Sequence, residues 1–333
     1  MPTQGKTNGG SGQGRMAVRI RLGSRVSPLA MAQTHLVQGM LIAALAAPLD
    51  DFSIHGYTTT GDQIQDRRLQ EAGGKGLFTK ELDEALLAGQ IDAAIHSMKD
   101  LPTKLPPGIV LACVPSREDP RDAFICGTTV DLLSLPPGAV VGTASLRRQA
   151  QTLNLRPDLK VVTLRGSVQT RLKRLAEGQI DATFLALAGL LRLGLADHVA
   201  GLIPTELMPP AAGQGALAIT CRSDDRATWD ALQLLTLPEF EIATAAERAF
   251  LDSLDGSCRT PIGALGRVEG NQLSFVGEVL TPDGKLRWRR EATIDLGAHP
   301  HEASAALGRR LGTEIRAEAG TAFQPDSVTA PAW

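Results

Sequence analysis

His96-Ser97-Met98-Lys99-Asp100-Leu101-Pro102 places an ammonium and a carboxylate side by side where an apolar segment, Ile91 to Ile95, ends. Ligands of open α/β sheets bind beyond the strand ends, so this placement predicts that Lys99 and Asp100 face a cleft. A carboxylate there can steady a developing cation, and the ammonium beside it can hold an anionic substrate. Taken alone, such a pair is as often a surface ion pair of small energetic weight. Its surroundings raise its interest, because arginines crowd the starts of the predicted helices. Arg25 lies beside Ser24 and Ser27, Arg147 and Arg148 follow Ser145, Arg165 precedes Gly166-Ser167, and Arg171 comes one turn later. Open N–H groups at helix starts favour anions. A guanidinium can add charge-assisted bonds of ~1.5–3 kcal/mol where water is excluded. Any one of these arginines reads as solvated surface charge. Their recurrence suits a ligand bearing several carboxylates or phosphates.

Two further stretches carry chemistry. Gly73-Gly74-Lys75-Gly76-Leu77-Phe78 lacks the GK[ST] of a phosphate loop and reads instead as a lid over the cleft. Cys258 lies in Asp255-Gly256-Ser257-Cys258-Arg259-Thr260-Pro261, between a helix and a strand. Small neighbours leave a thiol accessible, and an accessible thiolate is a nucleophile. No histidine near it in sequence supports a protease-like relay. His96 is expected to be a structural hydrogen-bonding group at its strand end.

The elements that must position these residues show an internal echo. Val18 to Leu22 alternates as a strand, turns at Gly23-Ser24 and enters a helix at about Pro28; Ala139 to Arg147 repeats that plan. Thr79 to Ala88 reads as an amphipathic helix closed by Gly89 and followed by Gln90-Ile91-Asp92-Ala93. Thr170 to Glu177 is closed by Gly178 and followed by Gln179-Ile180-Asp181-Ala182. Two matched helix-GQIDA-strand units predict two α/β lobes with mainly parallel sheets. Arg117 to Asp122 and Leu207 to Gly215 are polar or proline-bearing and read as the crossings between lobes. After these come a helix over about Glu241–Leu254, strands over Gln272–Leu280 and Lys285–Ile294 around the turn Thr281-Pro282-Asp283-Gly284, and a helix over about His301–Ala319. Together they predict a small C-terminal α+β domain. The expected division is a disordered tail over 1–15, a first lobe over 16–115 and 212–236, a second over 116–211, and the third domain over 237–333.

At 333 residues, with 43% hydrophobic and 21% charged residues, the chain has ample material for such cores. A net charge of −2 argues against general attraction to nucleic acid or membrane. The four cysteines are scattered, which speaks against a metal site or a disulfide framework and fits a reducing cytoplasm. Met1 to Arg15 has no apolar core of the signal-peptide kind, and no stretch is expected to reach the ~18–20 apolar residues of a membrane span.

Taken together, the motifs resemble the porphobilinogen deaminase family. The likeness runs from Arg19 to about Gly266 and weakens beyond. It is carried by Ser24 to Ala30, Gly73 to Phe78, His96 to Pro102, Arg117 to Ala123, Gly142 to Gln149, Leu164-Arg165-Gly166, Ala188-Gly189-Leu190, Ala212 to Ala216, Ser257-Cys258 and Pro261-Ile262-Gly263. The resemblance implies two lobes like type II periplasmic binding proteins, a third domain, and a dipyrromethane cofactor held by a thioether to Cys258. It implies a transferase that joins four porphobilinogen molecules head to tail on that primer and releases hydroxymethylbilane by hydrolysis. Asp100 would be catalytic, steadying positive charge on the pyrroles. Lys99, Ser145, Arg147, Arg148, Arg165 and Arg171 would hold the primer, and Arg25, Ser27, Arg192, Lys75 and Phe78 the substrate. No metal is implied, the partners are porphobilinogen and the growing oligopyrrole, and the family points to a monomer. Gln70-Glu71-Ala72 lacks a lysine that some relatives carry, and Ser167 and Ser257 stand where asparagine and glycine are frequent.

Two other classes compete. A two-lobed anion-binding or effector-sensing protein would explain the duplicated helix starts and the arginines, but not Lys99-Asp100, Cys258 or the third domain. A phosphoryl-transfer enzyme would need a phosphate loop and metal carboxylates that the sequence does not offer.

Overall fold

The computed structural model describes residues 19–63, 76–256 and 260–323. The first lobe comprises β1 (Ile20–Arg25), α1 (Pro28–Leu45), β2 (Phe52–Tyr57), α2 (Thr60–Gln63), α3 (Lys80–Leu87), β3 (Ala93–Ser97) and β4 (Ile109–Cys113). The second comprises β5 (Asp122–Cys126), β6 (Val140–Gly142), α4 (Leu146–Leu155), β7 (Lys160–Val162), α5 (Val168–Ala176), β8 (Ala182–Ala186), α6 (Leu187–Arg192) and β9 (Gly201–Leu202). The chain then returns through β10 (Leu217–Arg222) and α7 (Arg226–Gln233). Its last part is α8 (Pro238–Ser253), β11 (Ile262–Glu269), β12 (Gln272–Leu280), β13 (Arg287–Asp295) and α9 (Pro300–Ala319).

The echo in sequence is an echo in structure. The sheets run β2-β1-β3-β10-β4 and β7-β6-β8-β5-β9, so each has as its fourth strand the one that has just crossed from the other lobe. Those crossing strands lie antiparallel to both neighbours, whereas β1 with β2 and β3, and β6 with β7 and β8, pair in parallel. The sheets are therefore evenly mixed: a strand arriving from the far lobe enters from the opposite end. In the GQIDA units the aspartate does the same work twice. Asp92 accepts the Arg21 N–H at 2.9 Å and Asp181 the Val140 N–H at 2.7 Å, each locking the next strand, β3 or β8, into register with its parallel neighbour, β1 or β6. Gly89 and Gly178, at φ of 66° and 69°, make the left-handed turn that ends each preceding helix.

Several element ends differ from expectation for local reasons. β1 continues through Gly23-Ser24-Arg25 because it pairs with β2 along its whole length. α8 begins at Pro238, a residue suited to a first helical turn. α5 begins at Val168 because Ser167 caps it, accepting the Thr170 N–H at 3.2 Å. Against the expectation of no membrane-length stretch, α1 is 18 residues long with mean hydropathy 1.2, enough by length and composition to cross a bilayer. Here it lies on the first lobe's sheet, with Val37 and Leu41 in one core with Ile20, Leu22 and Phe52.

In the last part, α8 and α9 cover one face of the antiparallel sheet β11-β12-β13. Phe250 and Phe275 pack with ring centroids 5.4 Å apart, and Ile315 and Phe323 complete the core. Gly308 lets the two helices close on each other, since a Cβ there would stand 2.1 Å from the Ala246 carbonyl oxygen. The two crossings between lobes lie side by side: Arg117 bridges Ala216, and Glu118 and Leu217 donate to Gly215 and Ser116 at 3.2 and 3.1 Å.

Candidate functional site

Lys99 and Asp100 are placed by a buried strand and one tight turn. Ala93 to His96 of β3 are buried, and the chain leaves the sheet in a single 3₁₀ turn, Met98–Asp100. Met98, 1% exposed, plugs a small core of Leu101, Val114, Ala216 and Ala218, and its N–H donates to Ala216 at 3.0 Å. Gly213 sits against Met98 at φ 73°, where a Cβ would come within 2.3 Å of the Met98 Cγ. With Met98 turned in, Lys99 and Asp100 stand partly buried at the strand's open end. His96 meets Thr220 of β10 at 3.2 Å, and burial together with the Arg25 charge holds its imidazole at about 4. It is neutral at physiological pH and fits the structural role expected of it.

Burial pulls the Lys99 ammonium down to about 8, with Arg147 and Arg148 adding to the effect and Asp100 and Asp122 opposing it. Its Nζ lies 3.5 Å from the Gln214 Oε1, and the Gln214 amide donates to Asp122 at 2.8 Å and to the Pro120 carbonyl at 2.7 Å. Asp122 in turn carries both neighbouring arginines, Arg147 at 2.8 Å and Arg148 at 2.8 Å. Burial alone would raise the Asp122 carboxyl, but the two guanidiniums overcome it and hold it far below the ordinary carboxylate range. A continuous polar chain thus joins Lys99 of the first lobe to α4 of the second through the returning crossing. It continues from Arg147 to Gln151 at 2.9 Å and from Gln151 to Glu278 of β12 at 2.6 Å.

The expected arginines fall into distinct settings. Arg147 and Arg148, 4% and 6% exposed, face Asp122 before they face anything else, because a guanidinium taken out of water needs a counter-charge. Ser145 caps α4 by accepting the Arg148 N–H at 3.4 Å, and Ser27 does the same for the Ala30 N–H of α1. Arg171 has cations as its charged neighbours: burial, then Arg148, then Arg165 bring its guanidinium down to about 10. Its Nε donates to the Gly166 carbonyl at 3.1 Å. Arg25 pairs with Asp62 and lies over the Phe78 ring, 4.3 Å from its centroid. Arg192 donates to the Gly215 carbonyl at 2.7 Å, while its Nε is buried without a hydrogen bond among the described residues. Lys75 and Cys258, like the tail before residue 19, lie outside the described residues.

The structure therefore brings Lys99, Asp100, Arg147, Arg148, Arg165 and Arg171 into one electrostatic neighbourhood. Arg25 and Phe78 form a separate pair. Sequence reasoning gave no role to Asp122 or Gln214. Both lie in stretches read as crossings and as family motifs without a residue role, and nothing in their spacing signals the arginines they meet. Asp100 is partly buried and has no hydrogen-bond or ion-pair partner among the described residues. The donor set fits a dipyrromethane, whose acetate and propionate arms would bring Arg171 an anionic partner and Lys99 a further one.

Two α/β lobes meeting at a cationic patch beside the Asp100 carboxylate define a protein that handles a polyanionic ligand. Residues 20–230 match the family model described as porphobilinogen deaminase, dipyromethane cofactor binding domain, and residues 242–317 match that of the porphobilinogen deaminase C-terminal domain. The chain belongs to the porphobilinogen deaminase family. Porphobilinogen deaminase of Caulobacter vibrioides (strain NA1000 / CB15N) is 51% identical over 314 residues, which is 91% of this chain and 97% of the relative. That of Phenylobacterium zucineum is 49% identical over 314 residues, 91% of this chain and 98% of the relative. Among solved structures, the VFT2 domain of Bordetella pertussis BvgS is similar at TM-score 0.40 and 16% identity, over 66% of this chain and 85% of that one.

Proposed function

We propose that this protein is the transferase that deaminates four porphobilinogen molecules, joins them head to tail and releases hydroxymethylbilane by hydrolysis, in tetrapyrrole biosynthesis. The observation that carries the reading is family membership over both matched segments, joined to Asp100 beside Lys99. Held by Cys258, the dipyrromethane would supply the free pyrrole carbon on which the chain is extended. Asp100 would steady positive charge as it develops near the pyrrole N–H groups, an interaction that strengthens toward the transition state. Lys99, Arg165 and Arg171 would hold the carboxylate arms, and Arg148 would share itself between Asp122 and an arm. Arg25, Ser27, Arg192, Lys75 and Phe78 would meet the incoming substrate. The same reading assigns β1 to β4, β10 and α7 to one domain, β5 to β9 to a second, and α8 onward to a third. It also makes the protein cytoplasmic, without nucleic-acid or membrane partners, which its scattered cysteines and balanced charge support, and the family resemblance points to a monomer.

Intact mass of freshly purified protein tests the cofactor assignment. A covalent increment equal to a dipyrromethane, lost in Cys258→Ser, and a colour reaction with a pyrrole-detecting aldehyde are expected. Active protein of unmodified mass would refute it.

A further inference from the structure

α8 leads to Cys258, which follows five residues after its last residue, Ser253, and the same helix grips the loop that carries Asp100. Arg248 donates to the carbonyls of Leu101, Pro102 and Thr103 at 3.4, 2.9 and 3.0 Å, and its Nη1 lies 3.8 Å from the Met98 Sδ. One turn further on, Asp252 accepts the Thr103 hydroxyl at 2.9 Å. Lys99 and Asp100 thus lie between two anchors. Upstream is the Met98 N–H on Ala216, and downstream is a single guanidinium fork holding three successive carbonyls. Asp100 makes no hydrogen bond or ion pair among the described residues, so the course of its backbone, rather than a side-chain partner, decides where its carboxylate stands. Burial draws the Arg248 guanidinium down to about 10, which marks the contact as one largely withdrawn from water.

We propose that Arg248 is a positioning residue: by holding the Leu101–Thr103 carbonyls it sets Asp100 relative to the helix that leads to Cys258. The inference rests on the catalytic reading of Asp100 given above. A rigidly supported carboxylate matters because a displacement of about 1 Å in a reacting group can cost ~100-fold in rate. Lysine cannot replace the fork, since one ammonium on a flexible stem does not span three carbonyls in a fixed plane.

The test uses full-length protein shown by intact mass to carry its primer, with turnover followed as product formation. Arg248→Lys is expected to fold and load, with kcat lowered about 10- to 100-fold and KM changed less than about threefold. Arg248→Gln serves the same comparison if the lysine variant does not accumulate. Asp100→Asn is expected to retain only slow turnover. Adding Arg248→Lys to it should cost less than about threefold more, because the carboxylate being positioned is gone. If Arg248→Lys keeps kcat within twofold while Asp100→Asn is slow, the positioning role fails and the Asp100 reading stands. An equal loss from Arg248→Lys in both backgrounds also overturns it, since Arg248 would then act apart from Asp100. Near-normal turnover of Asp100→Asn brings down the catalytic reading, and this inference with it.

Discussion

Lys99 holds its proton less firmly than an ordinary lysine, and the sign of the effect is informative. Burial first, then the neighbouring guanidiniums, depress it from 10.5 to about 8. A base whose folded pKa is depressed costs stability while charged, so the penalty is full below about pH 8 and fades between 8 and 10.5. The protein therefore maintains a disfavoured ammonium at physiological pH, a state that a carboxylate ligand would relieve. In Cys258→Ser protein, which would lack the primer, amine labelling of Lys99 read by peptide mass spectrometry should have its midpoint near 8. In primer-bearing protein the arms should raise that midpoint by about one unit or more. The same midpoint in both forms would mean that Lys99 does not face the primer.

At the scale of elements, α8 acts as a bracket between the third domain and both interlobe crossings. Its Glu247, fully buried, accepts from Arg117 at 2.7 and 3.2 Å, from the Gly213 N–H at 2.6 Å and from the Gly266 N–H at 2.8 Å. One carboxylate so ties the outgoing crossing, the returning crossing and β11 together. Arg117→Ala would leave that carboxylate buried without its counter-ion, and the expected loss is about 3–5 kcal/mol in urea unfolding. Adding Glu247→Gln should recover part of the loss. A loss under about 1 kcal/mol from Arg117→Ala would show that water or another cation replaces the arginine. The bracket also marks where sequence reading stops. Helix caps, the left-handed glycines and the GQIDA repeat are short-range signals, and they located both lobes and the C-terminal hairpin. Glu247 and Arg117 lie 130 positions apart, and Asp122 and Arg147 lie 25 apart. Such partners meet only once the chain has folded back on itself, Asp122 with Arg147 within the second lobe and Arg117 with Glu247 after both crossings. The same limit explains why Arg147 and Arg148 were legible as a site but not as the two counter-ions of a buried aspartate.

The whole molecule carries a net charge of only −2, yet Lys99, Arg147, Arg148, Arg165 and Arg171 gather where the lobes meet. Of the nearby carboxylates, Asp122 is spent on two of the arginines, so the patch remains cationic within a nearly neutral protein. Such a distribution draws acidic ligands without making the whole surface sticky for polyanions. Capture of porphobilinogen by its acetate and propionate arms should then weaken with salt, because the screening length shrinks from about 10 Å at 0.1 M to about 3 Å at 1 M. Chemistry at the partly buried Lys99 and Asp100, less exposed to mobile ions, should be less affected. Over that range KM is expected to rise at least about threefold while kcat changes less than about twofold. A salt-independent KM would mean that the cations serve the tethered primer and the protein's own carboxylates, and that the incoming pyrrole is held by something other than long-range charge.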